Sequence, residues 1–157
     1  MKTAHLLLWR HAEAQIGYPD DQRTLTSRGE QQAQRTARWL QDHIPPSTQL
    51  LCSPSLRTRQ TSQAFSANFT ALTALGTQTT WHELLHCCGW SDAYLEQPPS
   101  TLIVGHQPTL GQATALLLTG EPSQWSIRKG ALWWLTLRQK NGENQIVLRT
   151  VIDPDFL

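Results

Sequence analysis

The chain has 157 residues, a formal net charge of +1, and hydrophobic and charged fractions of 39% and 16%. That length suits one domain with a sizeable core, and the near-neutral balance excludes a nucleic-acid binder, which carries a basic face. One N-terminal lysine with a four-residue apolar run is too little for a signal peptide or membrane span, and three cysteines make no disulfide framework, so a cytoplasmic protein is expected.

The first apolar run, Leu6-Leu7-Leu8-Trp9, stops abruptly at Arg10-His11. A run of that length reads as a buried strand. In open α/β sheets, ligand chemistry gathers beyond the carboxyl ends of the strands, so this pair is well placed to act on a phosphate. A polar loop follows through Asp20 and Asp21, marked by Gly17 and Pro19. Ser27 and Glu30 have capping-box spacing, and Ala33, Ala37, Leu40 and Ile44 follow at helical spacing until Pro45-Pro46.

Leu50-Leu51-Cys52 predicts a second strand, ending at Ser53-Pro54, where serine before proline suits a helix start. That helix carries Arg57 in its first turn, again just after a strand. The segment from Thr70 to Gln78 is bland, and a short helix is expected over Asp92 to Gln97. Thr101-Leu102-Ile103-Val104 predicts a third strand, which runs into Gly105-His106 and a further helix bearing Leu110, Ala113, Thr114, Leu117 and Leu118.

Ala131 to Leu137 and Gln145 to Ile152 are strand-like, with Asn141-Gly142 between them as a hairpin signal. Trp133 and Trp134, adjacent on a strand, must face opposite sides of the sheet. The expected fold is an α/β three-layer sandwich: a mostly parallel sheet, helices on both faces, and an antiparallel C-terminal edge hairpin.

Three strand ends thus present Arg10-His11, Arg57 and His106, a compact set for a phosphate. The motif Arg10-His11-Ala12-Glu13, the run from Ser53 to Thr61, the pair Gly105-His106, and Leu25-Thr26 with Gly29 resemble the histidine phosphatase superfamily, the phosphoglycerate mutase-like family. The usual Arg-His-Gly reads Arg-His-Ala here. The short length and closing hairpin look most like the SixA-type phosphohistidine phosphatases.

The resemblance implies that His11 is a nucleophile that is transiently phosphorylated, with Arg10, Arg57 and His106 holding the phosphoryl oxygens. It implies no metal and no cofactor, and a single catalytic domain over 1–157 without a cap insertion. Larger relatives use an acidic residue between the second arginine and the second histidine. Glu83 is the candidate proton donor here. A protonated imidazole leaves phosphorus readily, so a phosphohistidine substrate has less need of such an acid.

Only about fifty residues separate Arg57 from His106, and they are used by a strand and a short helix. An unroofed crevice suits phosphohistidine on a protein, with a broad-specificity small-molecule phosphomonoesterase as the alternative. A mutase would have to shield its intermediate from water. Arg23 and Lys129 are further candidates for substrate contact, or plain surface charges. His82-Glu83-Leu84-Leu85-His86 satisfies the H-E-x-x-H zinc pattern, but Cys87-Cys88-Gly89 cuts its helix short and no third-ligand motif follows. A non-catalytic phosphate-binding module is a further alternative.

Overall fold

The structure is a computed structural model that describes residues 3–91 and 97–157. The helix expected over Asp92 to Gln97 falls on 92–96, outside the described residues. The described strands are β1 (Thr3–Arg10), β2 (Gln49–Cys52), β3 (Thr70–Ala71), β4 (Thr101–Gly105), β5 (Leu132–Lys140) and β6 (Glu143–Ile152). The helices are α1 (Ser27–His43), α2 (Leu56–Phe65), α3 (Trp81–Cys87) and α4 (Thr109–Thr119).

The sheet has six strands in the order β3-β2-β4-β1-β5-β6. β1, β2, β3 and β4 pair in parallel, while β5 and β6 add an antiparallel edge. Their turn is Asn141-Gly142, both at positive φ (54° and 79°), the geometry a two-residue hairpin requires.

Alternation along the strands divides the core into two layers. Leu6, Leu8, Leu51, Ile103 and Leu135 face Leu84 and Leu85 of α3 and Leu110 and Ala113 of α4. Leu7, Trp9, Leu50, Leu102 and Val104 face Ala33, Ala37 and Leu40 of α1. Leu6 to Trp9 are fully buried, which explains why the run shows no polar alternation. At roughly 1.5–3 kcal/mol per buried side chain, β1 is a main source of stability. Trp133 and Trp134 do face opposite sides: Trp134 is buried near Trp39, and Trp133 is partly buried near Trp125.

Two helix starts differ from the sequence reading. The N-cap of α1 is Thr26, not Ser27; its hydroxyl accepts from the Gly29 backbone N–H at 2.9 Å and donates to the Glu13 carboxylate at 2.9 Å. Only a residue without a Cβ fits at Gly29, since a Cβ there would collide with the Glu13 carbonyl. The N-cap of α2 is Ser55, because Ser53 is drawn into the site below. The two-residue strand β3 was not legible in the bland Thr70–Gln78 stretch, because its register comes from pairing with Leu51 and Cys52.

Register sets the site. Arg10 pairs with Gly105 and Cys52 with Val104, so β1, β4 and β2 end level. Gly130, at φ +74°, clamps the end of β1: its N–H donates to the Arg10 and His11 carbonyls at 3.1 and 3.2 Å. Its own carbonyl accepts from Trp9 Nε1 at 3.0 Å and Thr36 Oγ1 at 2.9 Å. A Cβ at this position would lie 3.0 Å from Gln32 Cβ and 3.2 Å from Pro154 Cγ. Gly130→Ala should therefore cost about 1–3 kcal/mol in urea unfolding, from left-handed backbone strain plus crowding. An unchanged midpoint would contradict the clamp.

Candidate active site

The level strand ends bring His11, Ser53 and His106 to one crevice, and α2 adds Arg57 from its first turn. All four are buried, with His11 7%, His106 6% and Arg57 3% exposed. The imidazole centroids of His11 and His106 lie 5.3 Å apart. The His11 backbone N–H donates to the Gly105 carbonyl at 3.1 Å, tying the two histidine-bearing loops together. Next to it, the Ala12 N–H donates to Thr61 Oγ1 at 3.1 Å, and that hydroxyl donates to the Arg57 carbonyl at 2.8 Å.

His11 has one defined tautomer. Its Nδ1 lies 2.8 Å from the Ala12 carbonyl oxygen, which can only accept, so Nδ1 carries the proton. Nε2 makes no hydrogen bond among the described residues and keeps its lone pair. Burial lowers the His11 pKa to about 3; the Ala12 hydrogen bond opposes this, and His106, Arg57 and Arg10 add to it. A buried imidazole surrounded by cations stays neutral and nucleophilic.

The cations are anchored through backbone. Arg10 Nη1 donates to the Ile127 carbonyl at 2.9 Å. Arg57 Nη1 donates to the Asp20 carbonyl at 2.7 Å, and Nη2 to the Asp20 carboxylate at 3.1 Å. The Nε donors of Arg10 and Arg57 are both buried without a hydrogen-bond partner. Two such donors in one crevice suit an incoming oxyanion.

His106 is held by hydroxyls. Its Nε2 lies 2.8 Å from Ser53 Oγ and 3.5 Å from Ser55 Oγ, while Nδ1 faces Arg57 Nη2 at 3.5 Å. Because Arg57 can only donate, Nδ1 accepts and Nε2 carries the proton in the neutral ring. Burial lowers its pKa to about 4; Arg57, Arg10 and Arg23 add to this, and Asp20 opposes it.

Asp20, Ser53 and Ser55 were missed by sequence reasoning as site residues. Asp20 read as loop, and its contact with Arg57 spans 37 residues, so no local pattern announces it. The Ser-Pro pair looked like a helix cap, a role that masked the bond from Ser53 to His106. The opposing effect of desolvation on Asp20 is outweighed by its hydrogen bonds and ion pairs with Arg57 and Arg23, which hold the carboxyl below the usual range. Arg23 reaches no site histidine; it pairs with Asp20 at 3.0 Å.

Glu83 makes no hydrogen bond to these side chains. It is exposed, accepts from Thr79 Oγ1 at 3.3 Å, and lines a neighbouring hollow of about 360 Å³ with Asp21, Pro54, Ser55 and Thr77. Lys129 lines a second hollow of about 250 Å³ that also contains Arg10, Arg28 and Arg128. In the H-E-x-x-H stretch, the His82 and His86 rings lie parallel with centroids 6.4 Å apart on the seven-residue α3. The neighbouring thiols donate to helix carbonyls, Cys87 to Leu84 and Cys88 to Leu85, and burial pushes Cys88 up to about 12. Among the described residues no three His, Cys, Asp or Glu side chains are grouped to hold a metal ion.

The neutral histidines have a measurable consequence. In the unfolded chain they titrate near 6.5, in the fold near 3 and 4. Between those values the unfolded state binds more protons, so stability is full above the unfolded pKa and falls as the pH drops toward 4. The expected slope is about 1.4 kcal/mol per pH unit for each histidine held neutral. Urea unfolding across this window should show it, with a shallower slope in His106→Gln; an equal slope in the variant would contradict the assignment.

The sequence model of the histidine phosphatase superfamily (branch 1) matches residues 6–86, just over half of the chain. Among solved structures, a protein from Nakamurella multipartitia assigned as the phosphohistidine phosphatase SixA aligns with a TM-score of 0.81 at 26% identity, covering 98% of each chain. A protein histidine phosphatase SixA complexed with tungstate aligns at 0.78 and 22% identity, covering 97% of this chain and 98% of that one. A mutant phosphoserine phosphatase from Entamoeba histolytica, in complex with phosphoserine, aligns at 0.63 and 18%, covering 98% and 99%. No curated protein matches. By the family match, and with an architecture of the SixA type, this chain belongs to the histidine phosphatase superfamily and is a phosphatase.

Proposed function

We propose that the protein removes phosphate from phosphohistidine in a protein, without a metal, through a phosphohistidine intermediate on His11. The observation that carries this reading is the unengaged Nε2 of a neutral, tautomer-fixed His11 beside the buried guanidinium of Arg57 and the half-buried one of Arg10. Phosphoryl transfer needs in-line placement and positive charge around the equatorial oxygens, and Arg10 and Arg57 provide the charge. The anionic phosphoryl group favours a protonated His106, whose Nδ1 then becomes a further donor.

In the first step Nε2 of His11 forms a bond to phosphorus while the bond from phosphorus to the substrate nitrogen breaks. The departing imidazole leaves as the protonated or rapidly protonated ring. In the second step water attacks the phosphorus on His11, gives up a proton, and releases inorganic phosphate. His11 is regenerated with its lone pair.

The reading of the substrate rests on access and on the place of Glu83. The described residues between Arg57 and His106 are spent on α2, β3, α3 and β4, elements of the sandwich itself, so the chain is read as one uncapped catalytic domain over 1–157. Glu83 lines a hollow with Ser55, within the neighbourhood of the crevice, and a phosphohistidine leaving group needs little help from such an acid. A broad phosphomonoesterase would depend on it more. No described helix is long and apolar enough to cross a membrane, and three unpaired cysteines favour a reducing compartment, the cytoplasm.

Phosphate release from a phosphohistidine protein and from p-nitrophenyl phosphate, with EDTA present, tests the reading. Wild type should favour phosphohistidine, and His11→Ala should lose turnover by at least about 10³-fold, as removal of a nucleophile does. Preference for the phosphoester would move the substrate to small molecules, and loss of activity in EDTA would overturn metal independence. Glu83→Gln should slow the phosphoester more than the phosphohistidine; equal slowing would refute the dispensable acid.

A further inference from the structure

The segment between His11 and Asp20 leaves the end of β1, turns at the surface, and returns to Arg57. Its middle carries Ile16 and Tyr18, at 101% and 97% exposure. Among the described residues these are the most exposed of the large apolar side chains. A single exposed apolar residue is ordinary. Here two of them, Ile16 and Tyr18, stand fully in water on one short segment whose ends are both site residues.

The segment is tied down on both sides of this pair. Ala14 bridges Leu25, the Gln15 N–H donates to the Thr24 carbonyl at 2.7 Å, and Arg23 Nη1 donates to the Gln15 carbonyl at 3.1 Å. Asp20 then fixes the far end against Arg57. The side chains therefore project from a held loop, at low cost in ordering on contact. Exposed apolar groups of this kind mark protein contact, and tyrosine is enriched among residues that dominate interface energy.

We propose that Ile16 and Tyr18 dock the protein that carries the phosphohistidine, packing on its apolar surface beside the phosphorylated side chain. This rests on the substrate reading above and deepens it. A phosphoryl group and its own leaving group occupy the crevice; only a larger body extends over the loop tip.

The experiment compares wild type with the Ile16→Ser/Tyr18→Ser double variant on three substrates. These are a histidine-containing protein phosphorylated with phosphoramidate, free phosphohistidine, and p-nitrophenyl phosphate. Expected is a loss of about tenfold or more in kcat/KM on the protein, mostly in KM, with both small substrates unchanged. Equal loss on all three would show that the loop serves only the contact between Asp20 and Arg57, and no loss on the protein would show no docking; either overturns the proposal. A wild-type enzyme inert on the phosphoprotein but active on p-nitrophenyl phosphate would overturn the substrate reading, and the docking role with it.

Discussion

The site depends on holding an imidazole neutral against two guanidinium groups. The hydrogen bond from His11 Nδ1 to the Ala12 carbonyl, at 2.8 Å, fixes which nitrogen bears the proton. Burial and the neighbouring cations then make a second proton unfavourable. An imidazole held in that state needs no adjacent general base to free its lone pair, and among the described residues no carboxylate hydrogen-bonds to His11. Among the described residues Asp20 is the carboxylate that pairs with a cation of the site: it anchors the Arg57 guanidinium and is itself paired with Arg23.

Such an arrangement is costly to fold, and the surrounding structure offsets the cost by pinning every part of it. Three parallel strands end level, so that short loops deliver the side chains to a common height. Gly130 closes the end of β1 with bonds that only a left-handed residue can direct there. Thr61 joins α2 to the Ala12 backbone, and Ser53 fixes the ring of His106. The two core layers beneath, divided by strict alternation along β1 and β4, supply the stability that the unfavourable burial of cations draws on.

Much of this was legible in the sequence because apolar runs that end abruptly at Arg or His mark strand ends, and strand ends are where α/β sheets place chemistry. The hairpin was visible in Asn141-Gly142, and the opposite faces of Trp133 and Trp134 followed from the strand period. What was not legible depends on contacts distant in the chain. Asp20 looks like any loop aspartate until Arg57 is brought to it. Ser53 precedes a proline and so mimics a helix cap, whereas its partner lies 53 residues away. Thr26 displaced Ser27 as the cap of α1 because its hydroxyl also answers Glu13.

The central claim is that His11 itself accepts the phosphoryl group. Rapid quenching of the enzyme during turnover of a phosphohistidine protein, followed by mass spectrometry of peptides under alkaline conditions, tests it most directly. The account predicts one acid-labile, base-stable phosphoryl group on the peptide containing His11, appearing before free phosphate accumulates. A phosphoryl group on any other residue, or turnover with the chain unmodified at every quench time, would contradict it.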